Sequence, residues 1–331
     1  MKYLKYILLS LLVLIIGATL FGAWKFNNTF FKERSNRLTY TSEPKPIRFN
    51  WANDSIGNIF ETQVAMIVPV KLEGLSHKLH MQFDTGSPYS FIYENDLKSL
   101  RKVGIHFKEI IKGNTKYIES IELILGGNKV GVSMIMVLKN YGNNFNRNDT
   151  LSELNIGTIG SDFMLDRVTE IDFRKQTLQF HNERTEWMRN LSSFQPFDFK
   201  GRRLMLPTTI NGDNIELFYD SGCSAFGLIT TKNRFDNYTD KDSETIAYDA
   251  NSWGSDIPII HKTTNTKMII GSANLSLKRV SYIDMYASTQ RLATPFTRIG
   301  GWLGNQPLNQ SVLILDTQKE EFVVIENTEK K

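Results

Sequence analysis

The chain has 331 residues, 41% hydrophobic and 22% charged, with 39 Lys and Arg against 35 Asp and Glu and a single cysteine. This composition excludes disordered, collagen-like and polytopic membrane classes, and one cysteine excludes a disulfide framework within the chain. At roughly 150 residues per domain, the length suggests about two domains, each large enough to bury a core.

The first element is Tyr6 to Trp24, 19 residues without charge between Lys5 and Lys25. It is about long enough to cross a hydrocarbon core, and Gly17 to Trp24 offers only mediocre small-residue cleavage sites. Residues 1–24 therefore read as a retained membrane anchor in preference to a signal segment. Basic residues flank both ends, so charge does not fix the orientation. A short cytoplasmic tip with the body extracytoplasmic, either periplasmic or extracellular, is the simpler topology. In the first 50 residues Lys2, Lys5, Lys25, Lys32, Arg34, Arg37, Lys45 and Arg48 face only Glu33 and Glu43, and the rest of the chain is slightly acidic. The excess charge thus belongs to the membrane end, and no nucleic-acid partner is expected. Residues 25–60, with Pro44 and Pro46 and little periodicity, read as a basic tether or a short prosegment.

After residue 60 no sustained helical period stands out. Short β-rich runs follow one another at Val64 to Leu72, His80 to Phe83, Ser120 to Leu125, Val132 to Leu138, Ile215 to Tyr219 and Val312 to Leu315. The class is mostly β. The informative feature is a repeat at domain scale. Pro69 to Gly74 leads through Met81, Gln82 and Phe83 into Asp84, Thr85, Gly86 and Ser87; Pro207 to Gly212 leads through Leu217, Phe218 and Tyr219 into Asp220, Ser221, Gly222 and Cys223. Leu123 to Gly127 matches Met268 to Ser272. Gly157 to Gly160 matches Gly301 to Gly304, and each final glycine precedes an aspartate, Asp172 or Asp316, by twelve residues. Three anchors in one order define two homologous β-barrel-like lobes, residues 61–185 and 200–327, joined by a linker at 186–199.

Each lobe supplies one Asp, a hydroxyl residue and a Gly at the end of an apolar strand. Hydrolysis without a metal or a covalent nucleophile needs one group to take a proton from water and another to give one to a carbonyl oxygen. Two carboxyls brought close cannot both ionise, so Asp84 and Asp220 together can supply both. Gly86 and Gly222 allow the tight turn that exposes a carboxylate. Thr85 and Ser221 offer hydroxyls to backbone groups across the lobe interface. Gly160 and Gly304 would let another strand's backbone pass close behind the loop.

These paired motifs, with Ile159, Gly160 and Leu303, Gly304 downstream, resemble the pepsin-like aspartic proteases over essentially the whole body. The resemblance implies a bilobal fold, a peptide or protein substrate in the cleft between the lobes, and a water activated by the Asp84 and Asp220 dyad. Both halves lie in one chain, so a monomer is expected. The family usually has Ser or Thr where this chain has Cys223, a weaker donor. The resemblance also implies a hairpin flap bearing a tyrosine. Its turn is placed at Gly113 and Asn114, and Tyr117 is assigned that role. Cys223 has no histidine near it in sequence and reads as a small buried residue, not a nucleophile. His77 and His80 point oppositely on a strand, and there is no HExxH, CxxC or Walker pattern, so no metal or cofactor is expected. Asp172 and Asp316 read as structural turn residues. The expected activity is that of a membrane-anchored aspartic endopeptidase, the alternative being a degenerate relative that binds extended peptides without cutting them.

Overall fold

Alternation of apolar and polar residues makes these runs strands, and one interruption of it shapes each lobe. In the strand Thr115–Leu125 the residues Ile121, Leu123 and Leu125 are buried while Ser120 and Glu122 are exposed, yet the next buried position is Ile118. The phase slips at Ser120, which has φ 55, so the two halves of this strand serve different neighbours. Its C-terminal end pairs with Ile59–Lys71, and Tyr117 to Leu125 pair with Asn128–Leu138. The computed structural model describes residues 36–41, 44–56, 59–144, 153–252, 255–284 and 299–326, together with Trp24, Lys25 and Asn28.

In the first lobe Asn128–Leu138, Phe91–Tyr93, Glu153–Ile159, Lys78–Phe83, Ile59–Lys71 and Thr115–Leu125 pair in that order, and the last returns to the first, closing a barrel-like ring. The second lobe repeats the connectivity with the long strands cut in two. Ser255–Thr263 and Lys267–Ile270 together take the place of Thr115–Leu125, and Ala273–Ser276 with Arg279–Ile283 take the place of Asn128–Leu138. The break at residues 264–266 falls where Ser120 kinks its counterpart. Gly126 and Gly271 turn both hairpins with φ 56 and 60, as the sequence repeat requires.

A six-stranded sheet joins the lobes, with Val168–Asp172 of the first antiparallel to Ser311–Asp316 of the second. Asp172 and Asp316 are equivalent in the repeat, so Glu170 and Ile314 are too, and these two are paired with each other. The repeat is therefore related across a local two-fold axis through this pair. Asp172 accepts from the N–H groups of Arg174 and Lys175, both at 3.1 Å, and Asp316 from those of Gln318 and Lys319 at 3.0 and 3.1 Å, so both cap matching turns.

Two boundaries differ from the sequence reading. Within the tether, Leu38–Tyr40 pairs with Asn128–Leu138, Ile47–Arg48 joins the interlobe sheet, and Asn50–Ile56 pairs with Ile59–Lys71, so these three segments are part of the folded body. These strands are short and interrupted by Pro44 and Pro46, which hid them. The linker is likewise structured: the helix Glu186–Arg189 lays Met188 on Val168, Val312, Ile314 and Val323, and Gln195–Pro196 edges the interlobe sheet. The stretch Tyr6 to Trp24 lies, except for Trp24, outside the described residues, and among the described residues no helix is long and apolar enough to cross a membrane.

Candidate active site

Both aspartates leave the ends of central strands, Lys78–Phe83 and Asp213–Tyr219, and are fixed first by backbone. Asp84 N–H donates to Ile159 O at 2.9 Å and Asp220 N–H to Leu303 O at 2.9 Å. Each carboxylate then closes its own turn, accepting from Gly86 N–H at 2.8 Å and from Gly222 N–H at 2.9 Å. The loops meet face to face. A Cβ on Gly86 would lie 2.5 Å from Asp220 Oδ1, and one on Gly222 would lie 2.6 Å from Asp84 Oδ1. Only glycine lets each backbone lie against the opposite carboxyl.

The flanking hydroxyls lock this approach crosswise. Thr85 N–H donates to Ser221 Oγ and Ser221 N–H to Thr85 Oγ1, both at 2.9 Å; Thr85 Oγ1 donates to Tyr219 O and Ser221 Oγ to Phe83 O, both at 3.0 Å. Three buried groups of each lobe are thus satisfied by the other, through four hydrogen bonds. Gly160 and Gly304 also sit tight, but against the aspartate loops themselves and not a further strand. A Cβ on Gly160 would be 2.6 Å from Tyr89 O, and one on Gly304 would run into the carbonyl oxygens of Cys223 and Phe226.

Asp84 is 4% exposed, while Asp220 keeps partial access to the cavity. Burial pushes both carboxyls above the usual range, and for Asp84 the adjacent Asp220 charge adds to the rise, taking it well above. Each carboxyl faces the opposite loop, so the charge of Asp220 raises the proton affinity of Asp84 and the two ionisations are linked. Among the described residues that line the cavity there is no lysine or arginine to offset a second negative charge. Cys223 Sγ donates to Asp220 Oδ2 at 3.4 Å, and burial followed by the Asp220 charge pushes the thiol well up, so it is a neutral donor. On the other side Ser87 Oγ donates to Tyr89 O at 2.6 Å and not to Asp84.

A cavity of about 310 Å³ opens over the pair. The first lobe lines it with Gln82, Asp84 and Tyr141; the second contributes Phe226, Ile229, Ala250, Ile257, Ile259, Ile283 and Trp302 besides its own loop. Tyr117, assigned above to the flap, is not among the lining residues. Its hairpin is formed as expected by Lys108–Lys112 and Thr115–Leu125 around Gly113 and Asn114, but Tyr117 pairs with Met136 and its ring takes the Arg37 guanidinium at 5.4 Å. The hairpin that reaches the cavity is its counterpart in the second lobe, Ile246–Ser252 and Ser255–Thr263. Sequence reasoning also missed the residues behind the loops: Asp162, which accepts from Ser90, and Asn305, which bonds Tyr219 and Ser224. Asn305 directly follows the matched Gly304 of the third anchor and Asp162 stands two residues after Gly160, which was the available signal. Among the described residues no group of three His, Cys, Asp or Glu is placed to hold a metal ion.

No protein-family model and no curated protein sequence matches the chain. A solved structure of the aspartic proteinase from Irpex lacteus is similar at 10% sequence identity with a TM-score of 0.48, covering 86% of this chain and 98% of that one.

Proposed function

We propose that this chain is a membrane-anchored aspartic endopeptidase. The observation that carries the reading is the mutual approach of Asp84 and Asp220, each carboxyl lying against the other's glycine with no cation among the described residues that line the cavity. A water between them would lose a proton to the ionised carboxyl as its oxygen attacks a peptide carbonyl carbon, while the protonated carboxyl gives its proton to the carbonyl oxygen. Collapse of the tetrahedral species breaks the C–N bond, the proton taken from water goes to the leaving amine, and the proton on the former carbonyl oxygen returns to the carboxyl that gave it, which restores the pair. The isoleucine-rich wall of the second lobe suits an apolar side chain of an extended peptide. No cofactor enters this scheme. The chain acts as a monomer, since both halves of the dyad are its own. Residues 1–24 hold it to a membrane with the body extracytoplasmic, which fractionation of the full chain against one lacking residues 1–24 would test.

One observation favours a second reading: the side-chain donor to Asp220 is a thiol, and a weak donor suits a site that binds peptides without cutting them. The two readings separate on one experiment. The full chain is expected to hydrolyse an unstructured protein somewhere between acid and neutral pH, with a statine-type transition-state mimic blocking it. Asp84→Asn and Asp220→Asn should each lower the rate at least about a thousandfold with the fold intact. Full activity in either variant would end the dyad assignment.

A further inference from the structure

Outside the dyad, a polar clamp lies at the first turn of the helix Glu94–Lys102, where three consecutive residues hold the chain that leaves the strand Asn128–Leu138. Glu94 Oε2 accepts from Asn140 N–H at 3.1 Å. Asn95 N–H donates to Tyr141 O at 3.1 Å, and its Nδ2 donates to Gly142 O at 3.1 Å. Asp96 Oδ2 accepts from Asn143 N–H at 3.0 Å. Every residue from 140 to 143 is therefore pinned by its backbone. Gly142 has φ +92, and a Cβ there would run into Asp96 Oδ2 and lie 2.5 Å from Tyr93 Cβ. A surface loop is normally the least constrained part of a β protein, so a stretch fixed at each residue is one that holds something in place.

What it holds is Tyr141. Its ring meets Tyr93 edge-on, centroids 4.8 Å apart at 72°, and it lines the dyad cavity together with Asp84 and Gln82. Tyr93 is itself fixed, its hydroxyl 3.0 Å from Thr158 Oγ1, on the strand whose Ile159 carbonyl anchors Asp84. Two contacts thus tie the Tyr141 ring to the backbone that sets the dyad. Across the cavity stand Ile257, Ile259 and Ile283 of the second lobe.

We infer that Tyr141 is the first lobe's substrate-positioning aromatic, presented to the cleft by the Glu94–Asn95–Asp96 clamp, and that it packs on an apolar side chain of a bound extended peptide opposite the isoleucine wall. This rests on the peptide-cleft reading above and deepens it. Clamp residues are positioning residues: they act through Tyr141 and touch no substrate.

The test uses the full chain and a short unstructured peptide with Leu-Phe at its centre. Tyr141→Ala is expected to raise KM about tenfold with kcat little changed, because a contact made equally to bound substrate and transition state is lost; Tyr141→Phe should restore most of the affinity. Asp96→Ala should reproduce the KM rise, and Asp96→Asn, whose amide oxygen still accepts from Asn143, should not. Tyr117→Ala is the control and leaves KM in place. Calorimetric binding of the same peptide to Asp84→Asn/Asp220→Asn, with and without Tyr141→Ala, reads affinity without turnover. If the chain cuts nothing but the peptide binds in a Tyr141-dependent way, the hydrolytic reading falls and this one stands. Equal affinity with and without Tyr141→Ala, absence of binding in both, or a matching KM rise in Tyr117→Ala would overturn it.

Discussion

In the first lobe the aspartate loop is closed from behind by a carboxyl: Asp162 accepts from Ser90 N–H at 2.9 Å and from Ser90 Oγ at 2.7 Å, and Ser90 Oγ accepts from Gly160 N–H at 2.9 Å. In the second lobe neutral groups close the loop from behind. Tyr219 OH donates to Asn305 Oδ1 at 2.8 Å, Asn305 Nδ2 donates to Ser224 Oγ at 2.7 Å, and Ser224 Oγ donates to Ser221 O at 2.6 Å. At the axis itself, by contrast, the lobes are almost interchangeable, Thr85 facing Ser221 and Gly86 facing the Asp220 carboxyl as Gly222 faces that of Asp84. A residue on the axis has its own counterpart as partner, so changing one breaks bonds in both lobes. The hydrogen bonds of Asp162 and Asn305 named above stay within one lobe, so these two positions are freer to diverge.

The hairpins show the same freedom farther out. Only that of the second lobe reaches the cavity, and the first lobe supplies Tyr141 in its stead.

The largest expected effect tests the axis directly. Gly86→Ala and Gly222→Ala should each abolish activity, because the new methyl must displace the opposite carboxyl; a melting profile alongside the peptide assay separates loss of the site from loss of the fold. Next, Thr85→Ala and Ser221→Ala should each destabilise the chain by about 2–4 kcal/mol in denaturant titration, since each leaves a buried N–H and a buried carbonyl unpaired. The two costs should agree within about 0.5 kcal/mol if the axis is symmetric in energy as well as geometry.

A smaller effect is read in pH. Asp84 and Asp96 are both held above the ordinary carboxyl value by burial, Asp96 at about 7, so the folded chain binds protons more tightly than the unfolded one. Stability from these groups is therefore highest at acid pH and falls as pH rises from about 4. Asp96→Asn should raise the melting temperature increasingly from that point through about 7 and evenly beyond it, while leaving pH 4 nearly unchanged. Asp84→Asn should be stabilising in the same sense at neutral pH, an inactive chain being the more robust one. The smallest effect belongs to Cys223→Ser. A hydroxyl donates better than a thiol to Asp220, stabilises its ionised form, and should move the acid limb of the kcat/KM profile to lower pH by a fraction of a unit.

Much of the fold was legible because the chain states it twice. Val64 to Leu72, but for Leu72, and Ile215 to Tyr219 appear in the strands Ile59–Lys71 and Asp213–Tyr219, and the matched Gly126 and Gly271 turn equivalent hairpins. The helix Glu94–Lys102 was not legible, being too short to show a period, and neither were the strands at residues 38–56, broken by prolines. Tyr117 was selected for proximity in sequence to a turn, whereas the cavity is lined by residues from both lobes that no local signal links.

By itself the sequence determined that two equivalent acidic loops exist and that glycine and a hydroxyl accompany each, since turn geometry and side-chain chemistry are local properties that spacing and residue type record. Only the tertiary structure decided that the loops meet, that each of the carboxyls of Asp84 and Asp220 lies against the glycine of the other loop, and that Tyr141 and the second lobe's hairpin, not Tyr117, flank them. Those facts depend on pairing across the interlobe sheet between Val168–Asp172 and Ser311–Asp316, strands more than a hundred residues apart. Contacts of that range arise from burying surfaces against one another, and the residues nearby in sequence do not encode them.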